Sequence, residues 1–377
     1  MSSEIQISPL RARREWREVY QLAQRLYADD PCWVEPLRAE RRGQWSPRHP
    51  WFRHAEARLF LARRAGQLVG TISAQLDQLQ PAEGDRRIGY FGQFECQNDA
   101  GIAAALFEHA AEWLRQRGAN WMRGPYDLGI NQSCGLLVEG RSTPPMVLMG
   151  HAPAYYADLV QAAGLATEMD LLAYLLPPDF EAPESMQRLL NRSAGRLRFR
   201  PLDRRRYAEE VQLLRELFND AWSENWGFVP VTEEEFAHTG REIRPILSPD
   251  HACVAEMNGE AAGFLIALPN INELIRDLGG RLMPTGWARL LWRLKRGQAT
   301  TARVPLMGVR RRYQRGPLGA AISFGMIDQV RHALYRDGIR QVELSWILET
   351  NQGMNSLIQS MGGDLYKRYR MYGAAID

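Results

Sequence analysis

Residues 57–76, ARLFLARRAGQLVGTISAQL, and residues 252–268, ACVAEMNGEAAGFLIAL, are two versions of one pattern. Each reads as strand, tight turn, strand. The first turn is Arg64-Ala65-Gly66-Gln67. The second holds Asn258-Gly259, a pair that tolerates the positive φ angles of a two-residue hairpin turn. Val69-Gly70 and Ala262-Gly263 stand at the same place after the turn, which points to an internal repeat.

The correspondence extends outward from the hairpins. A further strand and then a helix follow each one: Ile88–Cys96 and about Ala100–Gln116, then about Ala302–Val309 and Leu318–Tyr335. Ile102, Leu106, Ala110 and Leu114 keep a helical stripe in the first copy, as do Ile322, Met326, Ile327, Val330 and Leu334 in the second. Gly118 and Gly338 end these helices as C-caps and lead into strands Trp121–Gly124 and Gln341–Ile347. Each copy opens with a strand and a helix, at 5–10 and 13–26 and again at 197–201 and 206–222. The fold class that follows is α+β, with two tandem domains, each a mixed, mostly antiparallel sheet flanked by helices. The expected domains are 1–176 and 196–377, with 177–195 as a crossover linker.

Composition excludes several alternatives. The 377 residues are 45% apolar, enough for ordinary cores. Net charge is +3, from 47 basic and 44 acidic residues, too balanced for a nucleic-acid partner. Four cysteines without CxxC spacing and seven histidines without HExxH argue for neither a metal site nor a disulfide scaffold. The start, MSSEIQISPLRARREW, has no apolar leader core, and no window of about 18 apolar residues occurs. A cytoplasmic protein is expected, with peripheral contact at the inner face of the cytoplasmic membrane as an option.

Chemistry is suggested first by residues 308–320, GVRRRYQRGPLGA. A strand runs into a basic, glycine-rich turn that opens a helix. Helix N-terminal N–H groups bind anions, and glycines let a phosphate approach the main chain. The segment therefore reads as a pyrophosphate cradle or, equally, as a loop with solvated arginines.

This arrangement resembles the acyl-CoA N-acyltransferase (GNAT) superfamily, whose signature Gln/Arg-x-x-Gly-x-Gly/Ala is approximated by Gln314-Arg315-Gly316-Pro317-Leu318-Gly319. Asn351 opens a helix at the place where that family has an asparagine after its fifth strand. The whole chain is similar to bacterial tandem-GNAT proteins, including those of the bacterial ceramide synthase type. The resemblance implies an acyl-CoA co-substrate, or an acyl carrier protein donor, and an amine acceptor. It places Met307, Gly308, Val309, Arg310, Arg315, Gly316, Gly319, Ala320 and Asn351 around CoA. The tyrosine that commonly protonates the leaving thiolate is Ile358 here, so Tyr366, Tyr369 or Tyr372 would replace it, with Tyr369 the choice. In the first copy Asp99 stands where phosphates would sit, so that copy is read as degenerate for CoA and given to the acceptor.

Transfer to an amine needs a base and fixed donors for the oxyanion. Main-chain N–H groups of Met307, Gly308 and Val309 are the expected donors. Glu343, Glu349 and Glu95 are candidate bases; Glu343 inside an apolar strand equally suits an ion pair. His151 is a further candidate base or a structural histidine. Cys134 is not read as a nucleophile. Tyr126, Asp127, Asn131 and Tyr155, from loops dense in Gly, Pro and Tyr, and Trp222 and Trp226 are the candidate substrate-binding residues. An insertion from Asn270 to Thr301 holds Trp287, Leu290, Leu291 and Leu294 at helical spacing among arginines. It reads either as a membrane-surface helix or as a cover for the core.

The function expected is N-acylation of a long-chain, sphingoid-type amine, as in a ceramide synthase. The alternatives are a small-molecule or aminoacyl-type acetyltransferase and a non-catalytic CoA-binding scaffold.

Overall fold

The protein is described by a computed structural model covering residues 4–376. Its strands are β1 (Ile5–Pro9), β2 (Ala55–Arg64), β3 (Gln67–Asp77), β4 (Ile88–Cys96), β5 (Trp121–Gly124), β6 (Leu136–Glu139), β7 (Ala166–Leu176), β8 (Leu197–Arg200), β9 (Ala252–Met257), β10 (Glu260–Pro269), β11 (Thr301–Val309), β12 (Gln341–Leu348) and β13 (Asp364–Ala375). The chain forms two compact units. Unit 1 comprises residues through Leu171 together with those from Lys367 onward, and unit 2 is Leu172–Tyr366.

In unit 1 the order is β1-β2-β3-β4-β5-β13. β1 to β4 are antiparallel neighbours, β4 and β5 are parallel, and β5 meets β13 antiparallel. Unit 2 repeats the motif as β8-β9-β10-β11-β12, antiparallel until the parallel pair β11/β12. The expected mixed, mostly antiparallel sheet is present in each.

The turn residues explain the hairpins. Asn258 and Gly259 both have positive φ, at 52° and 85°. The repeated glycine after each turn has a packing cause. A Cβ on Gly70 would stand 2.8 Å from Leu106, in the helix Ala100–Arg115. A Cβ on Gly263 would stand 3.2 Å from Ile322, in the helix Pro317–Arg336. In each unit the long helix thus crosses its hairpin at a glycine, burying the apolar stripe read from the sequence.

The compact units do not follow the linear order of the two copies. β13 starts in unit 2 and enters unit 1 after Tyr366. There Arg370 forms a bidentate pair with Asp170 at 2.7 and 2.9 Å. Lys367, 1% exposed, donates to the carbonyls of Thr143 and Pro144 at 2.7 and 3.1 Å. The end of β7 goes the other way, with Leu172, Tyr174 and Leu176 in the unit 2 core. The expected linker 177–195 lies within unit 2 and contains the helix Glu184–Ser193, whose Met186 and Leu190 pack on that core.

Candidate active site

The parallel pair sets the geometry. β11 and β12 run in register from Thr301↔Gln341 to Val304↔Leu344, and among the described residues they pair no further. β11 continues to Val309 against β10 alone. Backbone N–H groups alternate sides along a strand, so every second one in this stretch faces the gap. Unit 1 opens the same way, with β4 and β5 paired from Ile88↔Trp121 to Tyr90↔Arg123 before β4 runs on to Cys96.

In unit 2 the free end of β11 carries Met307, Gly308 and Val309. Trp222 Nε1 donates to the Met307 carbonyl at 3.2 Å. Gln314 Nε2 donates to Val309 and Ala221 carbonyls at 2.8 and 2.7 Å. The chain then makes a helical turn, Arg311–Gln314, and reaches Gly316 at φ 80°. Gly316 is the N-cap of the helix Pro317–Arg336, and no side chain caps it. Pro317 brings no N–H, so the N–H groups of Leu318 and Gly319 are left to meet an anion. Gly319 is fixed by the turn folded over it, because a Cβ would stand 2.4 Å from the Gln314 carbonyl oxygen and 2.6 Å from that of Tyr313. Ala320 follows in the same first turn of that helix, its N–H 3.4 Å from the Gly316 carbonyl.

The four arginines of this loop are not equivalent. Arg310 donates to the Ala261 carbonyl at 2.8 Å. Arg311 pairs with Glu224, and Arg312 with Glu260. Arg315 is exposed and has no ion pair among the described residues. The cradle therefore offers one uncommitted guanidinium. Asn351 caps the helix Gln352–Ser360, its side-chain oxygen accepting the Met354 N–H at 3.1 Å. It acts locally on the backbone, as capping asparagines do.

Glu343 is fully buried on β12, in register with Arg303 of β11. Arg303 Nε lies 3.4 Å from Glu343 Oε1. Ser345 Oγ donates to Oε1 at 2.5 Å, and the Tyr366 hydroxyl donates to Oε2. Both oxygens are occupied, so the geometry gives Glu343 the ion pair rather than an open basic site. Glu349 lies exposed just beyond β12. Of the three tyrosines that could replace the missing acid, only Tyr366 is in unit 2. Tyr369 is fully buried in unit 1 opposite Leu137, a core position rather than the open one expected of a proton donor. Ile358 is a core residue beneath Gly363.

Unit 1 is built differently at both corresponding positions. Asp99 caps the helix Ala100–Arg115, accepting N–H groups of Gly101 and Ile102 at 2.9 and 3.1 Å, and pairs with Arg64 at 2.9 Å. The Arg64 guanidinium and the Ile102 N–H hold its carboxyl below the usual range. A carboxylate already occupies the position that is open in unit 2.

On the free end of β4 stands Glu95. The Tyr156 hydroxyl donates to its Oε2 at 2.7 Å and accepts the Cys96 N–H at 3.0 Å. The Tyr155 hydroxyl donates to the Cys96 carbonyl at 2.9 Å. Burial pushes the Glu95 carboxyl up to about 7, against the pull of the Tyr156 hydrogen bond and the Arg41 charge. A carboxyl tuned to that range is suited to accept a proton at neutral pH.

The other candidates of unit 1 sort into structural and open positions. His151 Nε2 lies 2.8 Å from Asp30 Oδ2, and burial pushes the imidazole pKa down. Its carbonyl accepts the Tyr27 hydroxyl at 3.1 Å. Tyr126 is a core residue against Tyr90, with ring centroids 4.7 Å apart. Asp127 is raised by burial and faces Arg41 at 3.9 Å. Asn131 is exposed, and Trp226 is half-buried after the helix Tyr207–Trp222. Tyr156, Tyr27 and Arg41 around Glu95, and Arg303 beside Glu343, are neighbours that the sequence did not single out. Tyr156 stands beside Tyr155, but nothing local to Tyr27 or Arg41 announces Glu95. Among the described residues no group of three or more His, Cys, Asp or Glu could hold a metal, and no helix is long and apolar enough to cross a membrane.

Two splayed strands and one open helix N-terminus define a tandem GNAT-fold protein. Solved structures agree on the fold. A tandem GNAT protein from the clavulanic acid biosynthesis pathway matches over 99% of both chains with a TM-score of 0.57 at 16% identity. A GCN5-related N-acetyltransferase from Sphaerobacter thermophilus matches over 99% of this chain and 96% of its own, with a TM-score of 0.54 at 14% identity. No family model matches. The chain is 42% identical to the bacterial ceramide synthase of Caulobacter vibrioides (strain NA1000 / CB15N), over 100% of this chain and 98% of that relative. It is also 42% identical to Protein YghO of Escherichia coli (strain K12), over 92% and 89%. The chain belongs to the family of the bacterial ceramide synthase.

Proposed function

We propose that this protein is an N-acyltransferase that moves an acyl group from an acyl-CoA thioester to the primary amine of a long-chain, sphingoid-type lipid. The observation that carries the reading is the asymmetry of the two helix N-termini: the one after Gly316 has no side-chain cap and adjoins the uncommitted Arg315, while Asp99 closes the other. An acyl-CoA pyrophosphate would meet the N–H groups of Leu318 and Gly319 and the Arg315 charge. The lipid acceptor is argued from the full-length likeness to the relative named a bacterial ceramide synthase.

In the reaction the amine nitrogen bonds to the thioester carbonyl carbon, and the carbon–sulfur bond breaks. The ammonium proton passes to a base, and the CoA thiolate takes up a proton. Free N–H groups on the last residues of β11 are the donors for the developing oxyanion. The candidate bases are Glu349, exposed just beyond β12 in unit 2, and Glu95 of unit 1, whose carboxyl is poised at about 7. Tyr366 takes the place of the missing acid at 358.

The test is thiol release from acyl-CoAs of graded chain length, offered sphinganine or small polar amines, with the amide product identified by mass spectrometry. The reading requires long-chain amide. Transfer of acetyl alone to small amines would replace it with the small-substrate alternative. CoA binding without turnover on any amine would leave a scaffold.

A further inference from the structure

The inserted segment between β10 and β11 folds as a short helix, Ile271–Ile275, followed by Gly286–Lys295. The second helix rests on the unit 2 core through Leu290 and Leu294. Arg293 and Arg289 fasten it to Asp277 at 2.6 and 3.3 Å. Its other side is apolar and open. Met283 is 73% exposed, Trp287 and Trp292 are each 50% and Leu291 is 44%. At about 100° per residue, Trp287, Leu291, Ala288 and Trp292 span an arc of about 140°, with Lys295 within it and Arg289 and Arg296 at its border. Met283, Trp287, Leu291 and Trp292 are four of the seven large apolar residues exposed among the described residues, so they mark an interaction face rather than scatter.

We infer that this helix docks on a bilayer surface carrying anionic headgroups. From Arg276 to Arg296 the sequence holds six basic residues and a single acidic one, Asp277. Arg281, Lys295 and Arg296 have no ion pair among the described residues. Arg296 lies over the Trp292 ring at 4.8 Å, which places a cation beside an exposed indole. Trp287 Nε1 donates to the Pro284 carbonyl at 3.0 Å, so that indole enters an apolar layer with its N–H already satisfied. Tryptophans beside lysine and arginine on an amphipathic helix suit the membrane interface, and anionic lipid adds attraction for each cation. A second copy of the chain is a poorer occupant, because an isologous contact would set these cations against themselves. The docking fits the lipid-amine reading but does not depend on it.

The test is sedimentation of the full-length protein with phosphatidylcholine vesicles, with and without phosphatidylglycerol. Binding should require phosphatidylglycerol, fall as salt rises and shift tryptophan emission to the blue. W287S/W292S should bind at least about tenfold more weakly. K295Q/R296Q should lose about 25-fold, taking roughly fivefold for each cation removed from an anionic surface. Both variants should keep the wild-type melting temperature and wild-type thiol release on detergent-dispersed sphinganine without vesicles. Wild type that ignores anionic vesicles, or variants that bind them like wild type, would overturn the proposal. So would a concentration-dependent dimer that the tryptophan variant abolishes, which would make this a contact between copies. Failure of thiol release on sphinganine in the wild type would count against the acyltransferase and leave the vesicle result to decide docking.

Discussion

Replacing Glu95 by Gln separates the catalytic role proposed for it from its structural cost. The carboxyl stands at about 7 instead of its ordinary 4.5, and burial is the first cause. Below 4.5 both folded and unfolded chains hold the proton. Between 4.5 and about 7 the folded protein keeps a proton that the unfolded chain has released, so stability falls as pH rises through that window and stays lower above it. At about 1.4 kcal/mol per tenfold the upper bound is ~3 kcal/mol, and partial solvent access brings it to about 1–2 kcal/mol. Gln has no such proton and keeps an oxygen for the Tyr156 hydroxyl. E95Q should therefore melt about 2–6 °C above the wild type at pH 8 and beside it near pH 4, while turnover falls by about 10²–10⁴. Melting curves from pH 4 to pH 9, with kcat/KM over the same range, check both limbs, and the wild-type rate should rise through about 7. Parallel melting curves would remove the buried carboxyl, and unchanged turnover would remove Glu95 as the base.

Two further substitutions test unit 2. R315S should weaken CoA binding roughly tenfold in calorimetry without moving the melting temperature, while R312S, whose charge is already paired with Glu260, should bind like wild type; equal affinities would defeat the cradle. R303M should destabilise the protein by about 3–5 kcal/mol in urea, because it leaves the Glu343 carboxylate buried without its cation, and R303M/E343L should recover most of that loss; additive losses would show that the pair is not coupled.

Much of the fold was legible because its signals are local. The turn at Ala65-Gly66, the strand Ile88–Cys96 and the long helices announce themselves by period and by glycine. The destination of β13 was not legible. A strand's alternation tells which side chains share a face, not which neighbour will pair with it. Nothing in GDLYKRYRMYG marks the passage out of unit 2 after Tyr366, so the residue chosen as replacement acid, Tyr369, proved to be a core residue of unit 1. Glu343 shows the same limit in electrostatics. A carboxyl in an apolar strand announces that it needs a partner, yet the sequence offers dozens of arginines. Only the parallel register of β11 on β12 selects Arg303. The upward shift of the Glu95 carboxyl was hidden as well, because it arises from burial in the folded unit, against the lowering pull of Tyr156, Arg41 and Tyr27.

The two copies share strand order, hairpin glycines and splay, yet they differ at one decisive helix end. A helix N-terminus presents orphan N–H groups that a side chain, water or a ligand must satisfy. In unit 1 Asp99 meets two of them and brings its own negative charge, held by Arg64; a phosphate arriving there would have to displace a carboxylate from two backbone hydrogen bonds and an ion pair. In unit 2 the residue at the cap is Gly316, which meets none, and the turn above the helix is packed so closely that Gly319 cannot take even a methyl group. A carboxylate cap stabilises its own helix but forecloses anion binding, whereas a glycine cap forgoes that stabilisation and leaves the dipole and the N–H groups for a ligand. Duplication followed by this one choice at each copy is enough to give a chain with two similar frames and, among the described residues, one long-helix N-terminus left open to an anion.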